Sequence, residues 1–408
     1  MAHMNTTAIS AGSAEFKRTN RALFFGGFSC FALLYCVQPL LPLLGHEFAL
    51  TPAQASLSLS ISTGALAVSL LASSFISDRF GRKPLMVAAM LIAAVMTCLC
   101  AVAQSYSQLL VMRALLGLAL GGMPAIAMAY LSEEMEPASL GLSMGLYISG
   151  SAFGGMLGRM LTSVLSDFLD WRWALGVMGL AGLLAALEFW RSLPVSKRFR
   201  PSGGGLDAMA AGVQQHFADA GLPWLFALAF LLMGCFISAY NYIGYRLLGE
   251  PFSLRQSVVG GISLLYLLGI FSSVWAGRLA DKFGRRGVLW MMLSVMFGGL
   301  LLTLSGALVL IVTGMALFTF GFFAAHSIAS SWIGRRARAP QALASALYLF
   351  FYYLGSSVVG WLSGLVWAHR GWPGVVALLG CGLGAALLIA LRLRNLTPLP
   401  ARSPVLAA

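Results

Sequence analysis

The sequence predicts an all-α integral membrane protein of twelve transmembrane helices in two six-helix bundles, with N- and C-termini cytoplasmic. Three observations carry this. The 408 residues are 59% hydrophobic and only 10% charged, with positive mean hydropathy, too apolar for a surface wetted all round by water. Runs long enough to cross a bilayer recur, separated by short charged or turn-rich links. And one charged phrase is written nearly twice, "SDRFGRKP" at 77–84 and "ADKFGRRG" at 280–287.

The apolar runs place spans at 22–44, 53–76, 85–104, 108–131, 138–165, 173–192, 222–247, 255–277, 288–305, 307–332, 341–366 and 374–392. The leading Met-Ala-His-Met reads as a cloning remnant in a cytoplasmic segment 1–21. Residues 22–192 form the first bundle, 193–221 a cytoplasmic linker with a glycine run and a possible short surface helix, 222–392 the second bundle and 393–408 a tail. No cleavable signal is expected ahead of the first span. With the N-terminus inside, nearly all Lys and Arg outside the spans fall on one side. The other receives only Arg172, Arg246, Arg255 and Arg370, so the basic side is expected to be cytoplasmic. The net charge of +13 comes as short clusters between apolar runs, which argues against a nucleic-acid surface. The six cysteines sit inside apolar runs without metal-ligand spacing, and no metal site is expected.

The doubled phrase marks a repeat. Asp78 and Asp281 are 203 residues apart, as are Gly81 and Gly284, and Pro137 and Pro340. A six-helix unit written twice in the same direction gives two halves related by an axis along the membrane normal. Each phrase lies in a tight link between the second and third helices of its half. The glycines permit the turn and the basic residues hold it inside. The aspartates are not needed for that. They are expected to act as latches, Asp78 at the helix start near Pro340 and Asp281 at the one near Pro137, closing the cytoplasmic side and releasing as the halves rock.

The phrases are similar to the loop motif G-x-L-x-D-R-x-G-R-K/R of the major facilitator superfamily. The second copy, "GRLADKFGRRG", fits well; the first, "SSFISDRFGRK", has Ser74 where the leading glycine belongs. "RALLGLALGG" from Arg113 resembles that family's fourth-helix pattern. "GLYISGSAFGGMLGRM" at 145–160 resembles a degraded antiporter motif, with Gly150, Gly154 and Gly158 kept but Gly155 and Arg159 departing. "CVQPLLP" and "DWRWAL" are similar to proton-coupled drug- and sugar-efflux members. The resemblance runs from first helix to last and implies that family's twelve-helix fold and proton-coupled transport. It also implies a latch of Asp78, Arg79, Gly81, Arg82, Asp281, Gly284 and Arg285, with Glu133 or Glu134 pairing with Arg82, and an influence of Arg113 on proton movement.

Polar residues inside the spans are the functional candidates. Gln38, Arg113 and Arg159 fall at one depth, and Arg113 is expected to bond Gln38 beneath a binding site. The competing reading for Arg159 is snorkelling, or pairing with Asp167 or Asp170. No Asp or Glu falls in mid-span, so the cavity is expected to be neutral to positive. His326 is the titratable candidate for proton coupling, with a purely structural histidine as the alternative. Tyr240, Asn241 and Tyr245, with Tyr35, Tyr266 and Tyr352, are expected to line an amphipathic pocket, against an aromatic belt as the alternative.

There is no phosphate loop for ATP and no catalytic motif, so an enzyme is not expected. The expectation is a monomeric secondary transporter of the bacterial inner membrane. It would have no cofactor beyond the proton gradient, and its partners would be a small molecule, protons and the lipid bilayer. Its work would be efflux of drug-like or sugar-like compounds by alternating access, or, alternatively, movement of an organic anion on cavity arginines.

Overall fold

The computed structural model describes residues 8–199, 206–338 and 340–396, apart from the side chains of Ser74, Phe75, Asp78 and Leu206. Twelve spanning helices are found among these residues. The first bundle holds α1 (Ala14–Glu47), α2 (Pro52–Phe80), α3 (Arg82–Ala101), α4 (Tyr106–Glu134), α5 (Pro137–Phe168) and α6 (Trp171–Ser192). After the linker come α7 (Leu222–Leu248), α8 (Gln256–Phe283), α9 (Arg285–Leu302) and α10 (Leu308–Arg336). A last run, Gln341–Arg394, is broken at Gly371, whose φ of 55° and ψ of −151° separate α11 (341–370) from α12 (372–394).

Most ends lie within a few residues of the hydropathy reading, because caps stand where the apolar runs begin. Thr51 and Gln54 form a capping box at α2, Ser105 caps α4, and Asp170 caps α6. The N-terminal boundary at 21 is a correction. Ser13 accepts from the Phe16 N–H, and α1 starts at Ala14 with Phe16, Thr19 and Asn20 already buried. A polar first turn hid this from hydropathy.

The repeat is visible in the backbone. Gly81 and Gly284 have φ of 87° and 86° at the α2–α3 and α8–α9 turns, a conformation glycine alone adopts cheaply. Within each half, helix pairs approach to backbone contact. A Cβ on Gly154 of α5 would lie 2.0 Å from the Phe28 carbonyl oxygen of α1, and a Cβ on Gly355 of α11 would lie 2.0 Å from that of Phe230 in α7. Small residues allow this where lipid offers no hydrophobic drive for helix association. The glycines of the antiporter-like stretch therefore have a packing role.

The halves meet along two seams, α2 against α11 and α5 against α8. A Cβ on Gly364 would be 2.4 Å from Ala53 Cα, and one on Gly260 would be 2.3 Å from Ser163 Cβ. The linker carries the expected short helix, Leu206–Phe217, but it docks on the second bundle instead of lying free. His216 is buried with Nε2 3.1 Å from the Pro340 carbonyl, and Phe217 packs on Phe226 and Phe351. Asp219 accepts from Arg336 at 2.5 Å and from the N–H groups of Gly221 and Leu222. Burial alone would raise the Asp219 pKa, but these donors more than offset it and leave it below the usual carboxylate value.

Alanine at Gly154 or Gly355 is expected to lower the thermal midpoint of the purified protein, each costing about 1–3 kcal/mol through forced helix separation. Gly145→Ala, where a Cβ meets nothing within 4 Å, should leave the melt in place.

Candidate functional site

The site begins with a break in α1. Its helical hydrogen bonding ends at Tyr35, Pro39 brings no backbone donor, and the chain tightens through a 3-10 turn at Gln38–Leu40. Carbonyls just before the break lack helical partners, and Arg113 takes them. It donates to Leu33 O at 3.1 Å, Leu34 O at 2.5 Å and, across the bundle, Ser58 O at 2.9 Å. At 1% exposure it staples α4 to the broken end of α1. The expected Arg113–Gln38 bond is not made, and Arg113 does not line the cavity, because three carbonyls hold it on the packed side of the break.

Gln38 turns instead toward the other half. Its Nε2 donates to Asn241 Oδ1 at 2.6 Å and approaches Ile237 O at 3.4 Å, while its Oε1 accepts from Arg159 Nε. Gln38 and Asn241 are 203 residues apart, the offset of the repeat. Equivalent residues meet each other only beside the axis that relates their halves, so this bond marks the axis. Arg159 does not snorkel, and neither Asp167 nor Asp170 is among its partners. Its Nη1 donates to Gly155 O at 2.5 Å, and its guanidinium lies 4.0 Å from the Tyr35 ring and 4.9 Å from the Tyr266 ring. Each such contact contributes on the order of 1–2 kcal/mol in a desolvated place. No carboxylate is among these partners, so a 3%-exposed cation has only neutral company.

Below this cluster, toward the face that carries the basic residues, lies a cavity of about 450 Å³. Tyr35, Arg159 and Tyr266 form its head, Phe236, Phe322, Tyr352 and Tyr353 its walls, and Ser330, Ile333 and Ser345 its lower reach. Tyr35 Oη is buried without a hydrogen-bond partner among the described residues. His326 lies on the wall, its Nδ1 2.9 Å from Tyr348 Oη and its ring against Tyr352 and Phe322. No Asp or Glu is among the lining residues, and Arg159 is their only permanent cation. Tyr240 bonds Thr319 at 2.8 Å and, with Asn241, borders a void of about 40 Å³ above the cluster. Tyr245 is excluded from the cavity, since its ring stacks on Tyr242 and Trp367. The α7 face shared by Asn241 and Tyr245, one turn apart, passes from the axis into the α7–α11 packing, which sequence spacing alone does not distinguish.

Above the cluster a second set of contacts joins the halves. Asp167 accepts from Ser257 at 2.5 Å and pairs with Arg255 at 3.3 Å, and Gln256 donates to Pro39 O at 2.6 Å, while level with the cluster, on the α2–α11 seam, Ser357 donates to Ser60 O at 2.7 Å. None of these was legible as a pair in sequence. These hydrogen bonds between the two bundles lie level with the cluster or above it.

At the basic face the described contacts of the latch residues are to their own halves or to the linker, where the Phe199 ring lies 4.8 Å from the Arg82 guanidinium. Arg82 pairs with Glu133 at 2.7 Å, whereas Glu134 accepts from the Arg198 N–H at 2.8 Å. Arg79 lies 5.8 Å from the Phe80 ring. Asp281 pairs with Arg285 at 3.0 Å and Arg335 at 3.5 Å, so its expected partner, the helix start at Pro137, is not the one it has. The lower reach of the cavity, at Ser330, Ile333 and Ser345, runs toward this face. Asp78's side chain lies outside the described residues.

The model of the Major Facilitator Superfamily matches residues 23–360. The chain belongs to the major facilitator superfamily. It is 50% identical over 387 residues to the inner membrane transport protein YnfM of Escherichia coli, covering 95% of this chain and 93% of that one. It is 45% identical over 381 residues to the uncharacterized transporter YybF of Bacillus subtilis, covering 93% and 94%. Among solved structures it resembles the nucleoside transporter NupG at TM-score 0.76 and 13% identity, covering 91% of this chain and 99% of that one. The human organic anion transporter MFSD10 follows at 0.71 and 16%, covering 93% and 100%. Such low identities speak for the fold alone. This superfamily member is a transporter and not an enzyme.

The contrast between the two buried arginines is testable. Arg113→Gln should lower the melting temperature of the detergent-solubilised protein by several degrees, since Leu34 O loses its side-chain donor while Leu33 O keeps only the Cys36 thiol and Ser58 O its contacts within its own helix, an unpaired buried carbonyl costing about 1–3 kcal/mol. Arg159→Gln should melt no lower than the wild type, because the relief of an uncompensated buried charge offsets the lost contacts.

Proposed function

We propose that the chain is a secondary transporter of the bacterial inner membrane that exports small amphipathic organic anions by alternating access. The observation that carries this is Arg159, a buried guanidinium at the head of a ring-lined cavity with no carboxylate beside it. Leaving a charge uncompensated in low dielectric costs several kcal/mol. An anionic cargo removes that cost, and its apolar body fits between Tyr352, Phe236 and Phe322. Tyr35 Oη stands ready as a hydrogen-bond partner. The guanidinium fork suits a carboxylate or sulfonate better than a point charge does.

The positive-inside pattern makes the basic face cytoplasmic, with both termini there and the cavity facing inward. Export is the direction the electrical gradient favours, because each negative charge moved outward gains about 2.3 kcal/mol per 100 mV of inside-negative potential. Proton coupling is assigned to His326, which shares the cavity wall with Tyr348 and Tyr352 and is the one lining side chain, among the described residues, whose type can exchange a proton in the physiological range. A proton entering there as cargo leaves adds the chemical gradient to the electrical one. A second reading, export of uncharged drug-like or sugar-like compounds, is favoured by the aromatic walls alone.

Reconstituted into liposomes with imposed pH and potential gradients, the wild type should move aromatic carboxylates faster than their neutral amides. Arg159→Gln should cut carboxylate flux at least about tenfold, the loss of about 1.4 kcal/mol of binding. His326→Gln should keep carboxylate exchange but no longer respond to the pH gradient. Equal flux of acids and amides, unchanged in Arg159→Gln, would replace the anion reading with the neutral one.

A further inference from the structure

The two halves meet the same charge problem differently at the basic face. In the first half Arg82, at the turn after Gly81, is held by Glu133 at 2.7 Å. The 203-residue register carries Arg82 to Arg285 and Glu133 to Arg336, so the second half has an arginine where the first has its carboxylate. The same register carries Ser132 to Arg335 and Lys83 to Arg286. At these four positions the second half has two more positive charges and one fewer negative charge than the first.

A cleft of about 590 Å³ opens at that place, between the α8–α9 turn, the end of α10 and Leu396. Arg285, Arg286, Arg335 and Arg336 line it, with Asp281 as the one lining carboxylate among the described residues. A single oxygen of Asp281 serves both Arg285 and Arg335. Arg336 donates to Asp219 of the linker, and Arg286 donates to the carbonyls of Arg394 and Leu396. Two carboxylates, one of them outside the cleft, thus face four guanidinium groups. The cleft also sits where the apolar lengths of α8 and α10 end. Phe283 on its rim is 66% exposed, and Trp290 on the adjoining turn of α9 is 44% exposed. That is the depth at which headgroups lie and aromatic rings anchor.

We propose that this cleft binds the phosphate headgroup of an anionic phospholipid, which provides the second half with the negative charge that Glu133 provides in the first. Phosphate oxygens match the forks of Arg285 and Arg335, and Arg286 adds charge from the opposite wall. The acyl chains run down the lipid-facing side beside Phe283 and Trp290. A free phosphate offers the same oxygens but nothing for these rings.

The test uses the full-length protein in zwitterionic detergent. Native mass spectrometry and thermal melting are recorded with cardiolipin, phosphatidylglycerol or phosphatidylcholine, each with and without millimolar inorganic phosphate. The anionic lipids are expected to be retained and to raise the melting temperature, phosphatidylcholine is not, and phosphate should not displace them. Arg286→Gln/Arg335→Ser should weaken anionic-lipid retention at least about tenfold, while Arg370→Gln, on the opposite face, should not. Arg335→Ser alone, at a side chain 65% exposed, serves if the double variant does not fold, with a smaller loss expected. Equal retention in wild type and Arg335→Ser overturns the site. Displacement of the lipid by inorganic phosphate, with the same rise in melting temperature from phosphate alone, overturns the lipid as its occupant.

Discussion

The rest of the molecule is arranged around one cluster: Arg159 held between two tyrosine rings, bonded to Gln38, which is bonded in turn to Asn241. It lies where the axis between the halves passes, so it contains a residue of each half that is the other's equivalent. When two bundles rock about a point below it, their separation grows with height above that point, so Asp167–Arg255, nearer the non-basic ends, parts further than the cluster for a given angle. The cluster is then the last of these contacts to yield, and the face opens fully only when it does.

The energetics of the cluster are unequal. The Gln38–Asn241 bond is worth about 1 kcal/mol net. The cation beside it is worth nothing as a pair, because its partners are neutral. A buried arginine in that state favours whatever brings it a negative charge, and the cavity reaches it from one side only. Gln38 and an incoming anion use the same guanidinium. Cargo that takes Arg159 competes with the bond that orients Gln38 toward Asn241, which links occupancy of the cavity to the contact between the bundles.

Much of the fold was legible in the sequence, because lipid makes span length and charge placement unforgiving. The repeat register, the turn glycines and the aromatic cavity wall followed from spacing, and Tyr35, Tyr266, Tyr352 and His326 do line one chamber. What was not legible depended on which way a side chain turns at a helix break. Gln38 and Arg113 share a depth but point apart, since the break in α1 exposes carbonyls on one side and frees Gln38 on the other. Tyr245 shares a helical face with Asn241 yet is lost to packing one turn later. The axis pair itself carried a readable signal, its own offset of 203 residues, that only becomes meaningful once both residues are known to be buried and polar. The asymmetry of the basic ends was also written in the sequence, as "SEEMEP" against "RRARAP", but its consequence for a cleft needed the third dimension.

The most direct test of the central claim measures the distance across the non-basic face with spin labels at Gln104 and Gly306, both exposed, by double electron–electron resonance. If the cluster holds that face closed, Gln38→Ala/Asn241→Ala shifts the distribution toward a longer population, and an aromatic carboxylate added to the otherwise unaltered protein produces a shift in the same direction. A distribution that stays single and short in the double variant would show that the outer contacts close the face unaided, and would contradict the role given to the axis.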